Sequence, residues 1–159
     1  MDTKQQFTNR GLQGEFGVSF EGTLIRAMPD GSQQAVPIAA VGQVDFDGGG
    51  KSRGVRTLNV GGMVIMDQVA EGTYSVNHDG TGTARYLVDV QRMTGAPLPC
   101  VTLPPKNLES FAFVLDDDNH ELQFIGPGIM DPDMEAPLAA VAAQGICRIQ
   151  CCFAPGVAE

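Results

Sequence analysis

Apolar and polar residues alternate over most of this chain, and glycine-bearing turns cut the alternation into strand-length pieces. Gly14 to Arg26 puts Phe16, Val18, Phe20 and Leu24 on one face, with Gly22 between them. Pro37 to Asp47 does the same with Ile38, Ala40, Val44 and Phe46; after the turn DGGGK, Ser52 to Val60 returns with Leu58 and Val60 in phase. NVGG turns again, and Met63 to Asn77 carries Met66, Ala70, Gly72, Tyr74 and Val76 on alternate positions. NHDGTG is a hairpin turn, because Asp-Gly supplies the positive φ that primed turns require. Thr83 to Val90 follows, with Ala84, Tyr86, Val88 and Val90 in phase.

The proline-rich GAPLPCVTLPPK interrupts the pattern and reads as a loop or edge crossing. SFAFVL, the acidic turn DDDNH and ELQFIG form another hairpin, and GPGIMDPDMEAP reads as a long loop. The segment LAAVAAQGICRIQCCF, residues 138–153, is ambiguous: its alanines favour a helix and GICRIQCCF favours a strand. About eight strands in meander order predict an all-β protein, a small antiparallel up-and-down barrel. Residues 1–13 are expected to be a flexible leader, 14–153 one barrel domain and 154–159 a tail.

Composition narrows the partners. The 159 residues carry a formal net charge of -9, and no basic stripe is present to neutralise phosphates, which argues against nucleic acid. The same acidity disfavours anionic membrane surfaces. The polar start MDTKQQFTNRG predicts no signal peptide, and no apolar run reaches spanning length, so the expectation is a cytoplasmic protein with thiols at Cys100, Cys147, Cys151 and Cys152. The C-x3-C-C cluster lacks the paired spacing of a zinc site, and neither His78 nor His120 lies near it in sequence; both histidines are expected in solvent. DFDGGG and DPDME lack the full ligand pattern of a calcium loop, DGGGKSRG lacks P-loop spacing, and no G-x-S-x-G elbow occurs. No metal and no cofactor is predicted.

The run PIAAVGQVDFDGGGK, the strand ending NVGG, and GTYSVNHDGTGTA together resemble the barrel of allene oxide cyclase-like bacterial proteins. The resemblance covers roughly residues 11–90 and is weaker over 109–150, where FAFVL, ELQFIG and QGICRIQ keep the expected order. It implies a calycin-type barrel and a homodimer or homotrimer. In the plant cyclases a first-strand glutamate and nearby polar groups steer an epoxide-derived cation in an apolar lumen, and the counterparts here are Ser19 and Glu21. Strand phase opposes that transfer, since Phe16, Val18 and Phe20 hold the apolar face and turn Ser19 and Glu21 toward water.

The polar residues in the inward phase are therefore the candidates. Arg56, Tyr74, Tyr86 and Glu109 are the candidate catalytic groups: a phenol or guanidinium can stabilise a developing alkoxide or enolate, and a carboxylic acid of raised pKa can move a proton. Phe20, Phe46, Leu58, Met66, Gln68, Phe111, Phe113 and Phe124 are the candidate substrate-binding residues. Each has a structural alternative: the tyrosines as core with rim hydroxyls, Arg56 paired with Glu109, Gln68 serving backbone near a bulge. Two functions stay open. One is a cofactor-free cyclase or isomerase acting on a small apolar metabolite with an oxygenated reacting centre. The other is a binding protein, a carrier or sensor of a hydrophobic ligand, beside which stands a barrel filled by its own phenylalanines.

Overall fold

A computed structural model of the chain describes residues 6–27, 30–95, 105–116, 118, 120–130 and 137–149. Among them the secondary structure is one short 3-10 turn, Asn9–Gly11, and eight strands: β1 Gln13–Ala27, β2 Gln33–Asp47, β3 Lys51–Val60, β4 Met63–Val76, β5 Thr81–Thr94, β6 Lys106–Leu115, β7 Glu121–Met130 and β8 Pro137–Ile149. Each strand pairs antiparallel with the next, and β1 pairs with β8, so a single sheet closes on itself as a barrel in simple meander order. No described helix is long and apolar enough to cross a membrane.

Turn chemistry sets the register. Gly61 and Gly62 both have positive φ, 56° and 98°, which is the two-residue connection whose twist matches its strands; Val60 then pairs with Met63 and the rest of β3 and β4 follows. At the β2–β3 turn the Asp47 carboxylate accepts the Gly49 and Lys51 N–H groups at 2.7 and 2.8 Å. Asp79 does the same for the Thr81 N–H and hydroxyl at the β4–β5 turn.

Inward positions build two clusters. One, around Phe16, Phe46, Tyr74, Phe113, Leu122 and Phe124, fills the end that carries the β2–β3, β4–β5 and β6–β7 turns. The other, around Leu24, Ile38, Leu58, Val60, Met63 and Ile65, fills the opposite end of β1–β4. Phe20 packs against both.

Three expectations are revised. The segment 138–153 is resolved in favour of a strand over its described part, because β8 is needed on both flanks: it supplies partners to β7 and to β1. Gly126 to Met130 continues β7 past two register shifts rather than opening a loop. The leader is also not loose throughout: Leu12 is fully buried, Phe7 lies against Gly80, and Asn9 accepts the Val76 N–H at 2.8 Å, so residues 7–12 cross the first end of the barrel and cover it. Residues 1–5, Cys100, Cys151, Cys152 and the tail 154–159 lie outside the described residues.

Candidate functional site

The inward face of β3 carries an arginine in the middle of the barrel, at a depth where a single charge costs several kcal/mol unless it is paired. Arg56 is paired twice. Its Nε and Nη2 donate to Asp67 Oδ2 at 3.1 and 2.9 Å, its Nη1 donates to Glu109 Oε2 at 2.7 Å, and Nη2 also donates to Glu109 Oε1. Asp67 and Glu109 are both buried, on β4 and β6. A guanidinium has five N–H donors, so these four contacts leave one, on Nη1. The guanidinium Cζ lies over the Phe20 ring, 5.7 Å from its centroid.

Two carboxylates around one arginine leave an excess acceptor. Asp67 Oδ1 is buried without a partner, and burial pushes the Asp67 carboxyl above the usual range even though Arg56 pulls it down. Burial acts against the charge on Arg56 as well, but Glu109 and Asp67 outweigh it and hold the guanidinium protonated throughout.

Below this triad, toward the first cluster, lies a cavity of about 60 Å3. Its walls are Val18, Phe20, Phe46, Phe111, Phe113 and Phe124, and the polar side chains that reach it from inward positions are Arg56, Tyr86 and Cys147. All three carry a hydrogen on a heteroatom at neutral pH. Burial pushes the Tyr86 phenol well above its ordinary value, and it pushes the Cys147 thiol up to about 12. The rings meet edge to face, with Phe20–Phe124 at 5.9 Å and Phe111–Phe124 at 5.5 Å between centroids, while Tyr86 tilts on Phe111 at 5.3 Å. Glycines give these rings room. A Cβ at Gly145 would overlap Phe20 and Phe124, one at Gly82 would overlap Phe113, and one at Gly72 would overlap Ser52.

Of the candidate catalytic residues, Arg56, Tyr86 and Glu109 come together here. Tyr74 does not. Its hydroxyl donates to the Leu12 carbonyl at 2.8 Å, which fixes the leader across the barrel end. Among the candidate binding residues Phe20, Phe46, Phe111, Phe113 and Phe124 line the cavity, while Leu58 belongs to the other cluster. Met66 and Gln68 lie on the face opposite to the one their phase predicts: both are exposed, Met66 at 48%. Between Val69 and Glu71 the β4–β5 pairing slips by a residue, so inward positions are odd before the bulge and even after it. Phase counted back from Tyr74 and Val76 therefore misassigns the first half of β4, and it hides Asp67, the residue it should have found. Ser19 and Glu21 are exposed, as strand phase predicts, and so are His78 and His120.

Compared with protein-family models, with curated proteins and with solved structures, the chain matches none. The site thus stands on its own geometry.

Proposed function

We propose that the barrel binds a small, largely apolar molecule through an acceptor oxygen, and that it promotes isomerisation or ring closure of that molecule without a cofactor. One observation carries the reading: every polar side chain that reaches the apolar cavity from an inward position offers a donor, Arg56, Tyr86 and Cys147. Such a wall suits a carbonyl, ether or epoxide oxygen and stabilises negative charge that grows on it. Tyr86, neutral because of its raised pKa, is the donor we assign to that oxygen, with the one Nη1 hydrogen of Arg56 not spent on a carboxylate as the second. The motif likeness to allene oxide cyclase-like barrels agrees with this assignment, with the active groups on β3 and β5 rather than at Ser19 and Glu21.

Size limits the ligand. Clefts for drug-sized molecules run to roughly 300–1,000 Å3, so about 60 Å3 accepts only a few heavy atoms. Anything larger must turn Phe20, Phe111 and Phe124 aside. A second reading, a non-catalytic carrier, is favoured by the four Arg56 donors already spent on carboxylates, which leave Arg56 little to give a transition state.

Native mass spectrometry of the purified protein tests the proposal, with the mass excess over 16.8 kDa identified after denaturation. The expected result is a bound oxygenated compound that wild-type protein converts and Tyr86→Phe converts at least tenfold more slowly. A compound returned unchanged by wild-type protein selects the carrier. A barrel that stays empty and takes up no apolar oxygenated probe rejects both.

A further inference from the structure

One row of the lumen wall carries three of the cavity's phenylalanines. The registers set Ala40, Phe20, Gly145, Phe124, Phe113 and Gly82 side by side on β2, β1, β8, β7, β6 and β5. Paired residues share a face, so Gly145 is the gap between Phe20 and Phe124. A side chain at 145 would begin 2.6 Å from Phe124 Cζ, the tip of the ring, and 2.6 Å from the Ser19 carbonyl oxygen, and it would overlap the stem of Phe20. The Phe124 ring therefore lies along β8, in space that any larger residue at 145 would claim. The Phe20 stem and the Ser19 carbonyl are held by β1, so of these neighbours only the ring tip can swing. A tip lifted off β8 moves toward Phe111, which it already meets edge to face at 5.5 Å between centroids, and into the cavity of about 60 Å3.

We infer that Gly145, with the Phe124 ring laid over it, sets the size of the molecule the lumen accepts and limits it to a short-chain or small-ring oxygenated compound. The limit concerns the lumen as a binding site, and so rests on the reading proposed above: Tyr86 and Arg56 take the oxygen, and the carbon part lies against Phe20, Phe111 and Phe124. In a space this small, the position of one ring tip decides whether a further carbon fits. One methylene more or less in an apolar pocket changes affinity by about 10- to 200-fold. Gly145 makes no contact with the oxygen and takes no part in the chemistry; it determines specificity through the ring it leaves room for.

Two ketones read the limit, acetone and the bulkier cyclopentanone, each titrated into the full chain and followed by NMR through the tyrosine and phenylalanine ring signals. In Gly145→Ala the lifted ring should weaken cyclopentanone roughly tenfold or more, with acetone changed less than about threefold. Adding Phe124→Leu to that variant should return the cyclopentanone affinity, and Phe124→Leu alone should raise it above wild type. If the Ser19 carbonyl keeps Gly145→Ala from folding, the single Phe124→Leu variant decides. The readout is the ratio of the two affinities, which a general loss of stability does not move. A ratio that neither substitution changes, both ketones lost together in a folded Gly145→Ala, or no gain for cyclopentanone in Phe124→Leu overturns the size limit and leaves the lumen as a binding site. Wild-type protein that binds neither ketone overturns the binding site itself, and the limit with it.

Discussion

Removing the charge of Arg56 isolates what the buried triad does for the fold. In Arg56→Met the stem volume is kept and the guanidinium is lost, so Asp67 and Glu109 stay buried with no counter-charge. At charge separations near 4 Å and an effective dielectric near 20, each pair contributes about 4 kcal/mol, or about 8 kcal/mol for the two. Taking the guanidinium itself out of water costs several kcal/mol, a penalty the variant no longer bears. The difference leaves a net loss of about 3–5 kcal/mol, a large share of the 5–15 kcal/mol that holds a typical domain together.

The loss must also depend on pH with a definite sign. Burial already raises Asp67 in the native protein, and without Arg56 nothing pulls it back. A carboxyl whose folded pKa lies above its unfolded value of 3.8 binds more protons folded than unfolded, so stability falls as pH rises through the folded pKa. The deficit of Arg56→Met is therefore larger at pH 7.5 than at pH 4.5 and shrinks as the pH approaches 3.8. Urea unfolding at pH 7.5 and 4.5, monitored by circular dichroism, measures both quantities. A loss under about 1 kcal/mol at pH 7.5, or an equal loss at both pH values, refutes the reasoning. The triple variant Arg56→Met, Asp67→Leu, Glu109→Met removes all three charges, and it should recover wild-type stability or exceed it by about 1–4 kcal/mol.

Other consequences are direct. Tyr74→Phe deletes the donor to the Leu12 carbonyl, so it should cost about 1 kcal/mol and speed amide exchange at residues 9–12. Gly82→Ala drives a methyl into the Phe113 ring and should lower stability by about 1–3 kcal/mol in thermal unfolding, with Phe113→Leu restoring part of it. With Cys100, Cys151 and Cys152 replaced by serine, Cys147, its thiol pushed up to about 12, should react with a disulfide reagent at pH 8 roughly a thousandfold more slowly than an unperturbed thiol. Urea should abolish that protection.

The barrel was legible because its signals are local. Alternation, the Gly61-Gly62 turn and the Asp79-Gly80 turn each act within a hairpin, and hairpins in meander order need only one long-range step, β8 onto β1, to close. That step is the one local sequence leaves open, since alanine-rich sequence carries no strand signal of its own and takes its form from the two strands beside it. The leader failed for the opposite reason. Its polar run reads as solvent-loving, yet Asn9 and the carbonyl of Leu12 spend their hydrogen bonds on the Val76 N–H and the Tyr74 hydroxyl, Leu12 is carried inside and Phe7 packs half-buried against the same cluster.

The site was half legible, and the missing half had a usable signal. Strand phase identified Arg56, Tyr86 and Glu109 as inward, but it treated β4 as one uninterrupted strand. The hairpin offered a second, independent count. Arg56 lies five residues before Gly61 and Asp67 five residues after Gly62, so a two-residue turn places them directly opposite, as the structure does. An inward Arg56 then requires an inward Asp67, because paired residues share a face. That requirement conflicts with a phase counted back from Tyr74, and only a one-residue slip between them reconciles the two counts. The bulge at Val69–Glu71 was thus implied by a buried arginine needing a carboxylate, together with a glycine turn that fixes which carboxylate it meets.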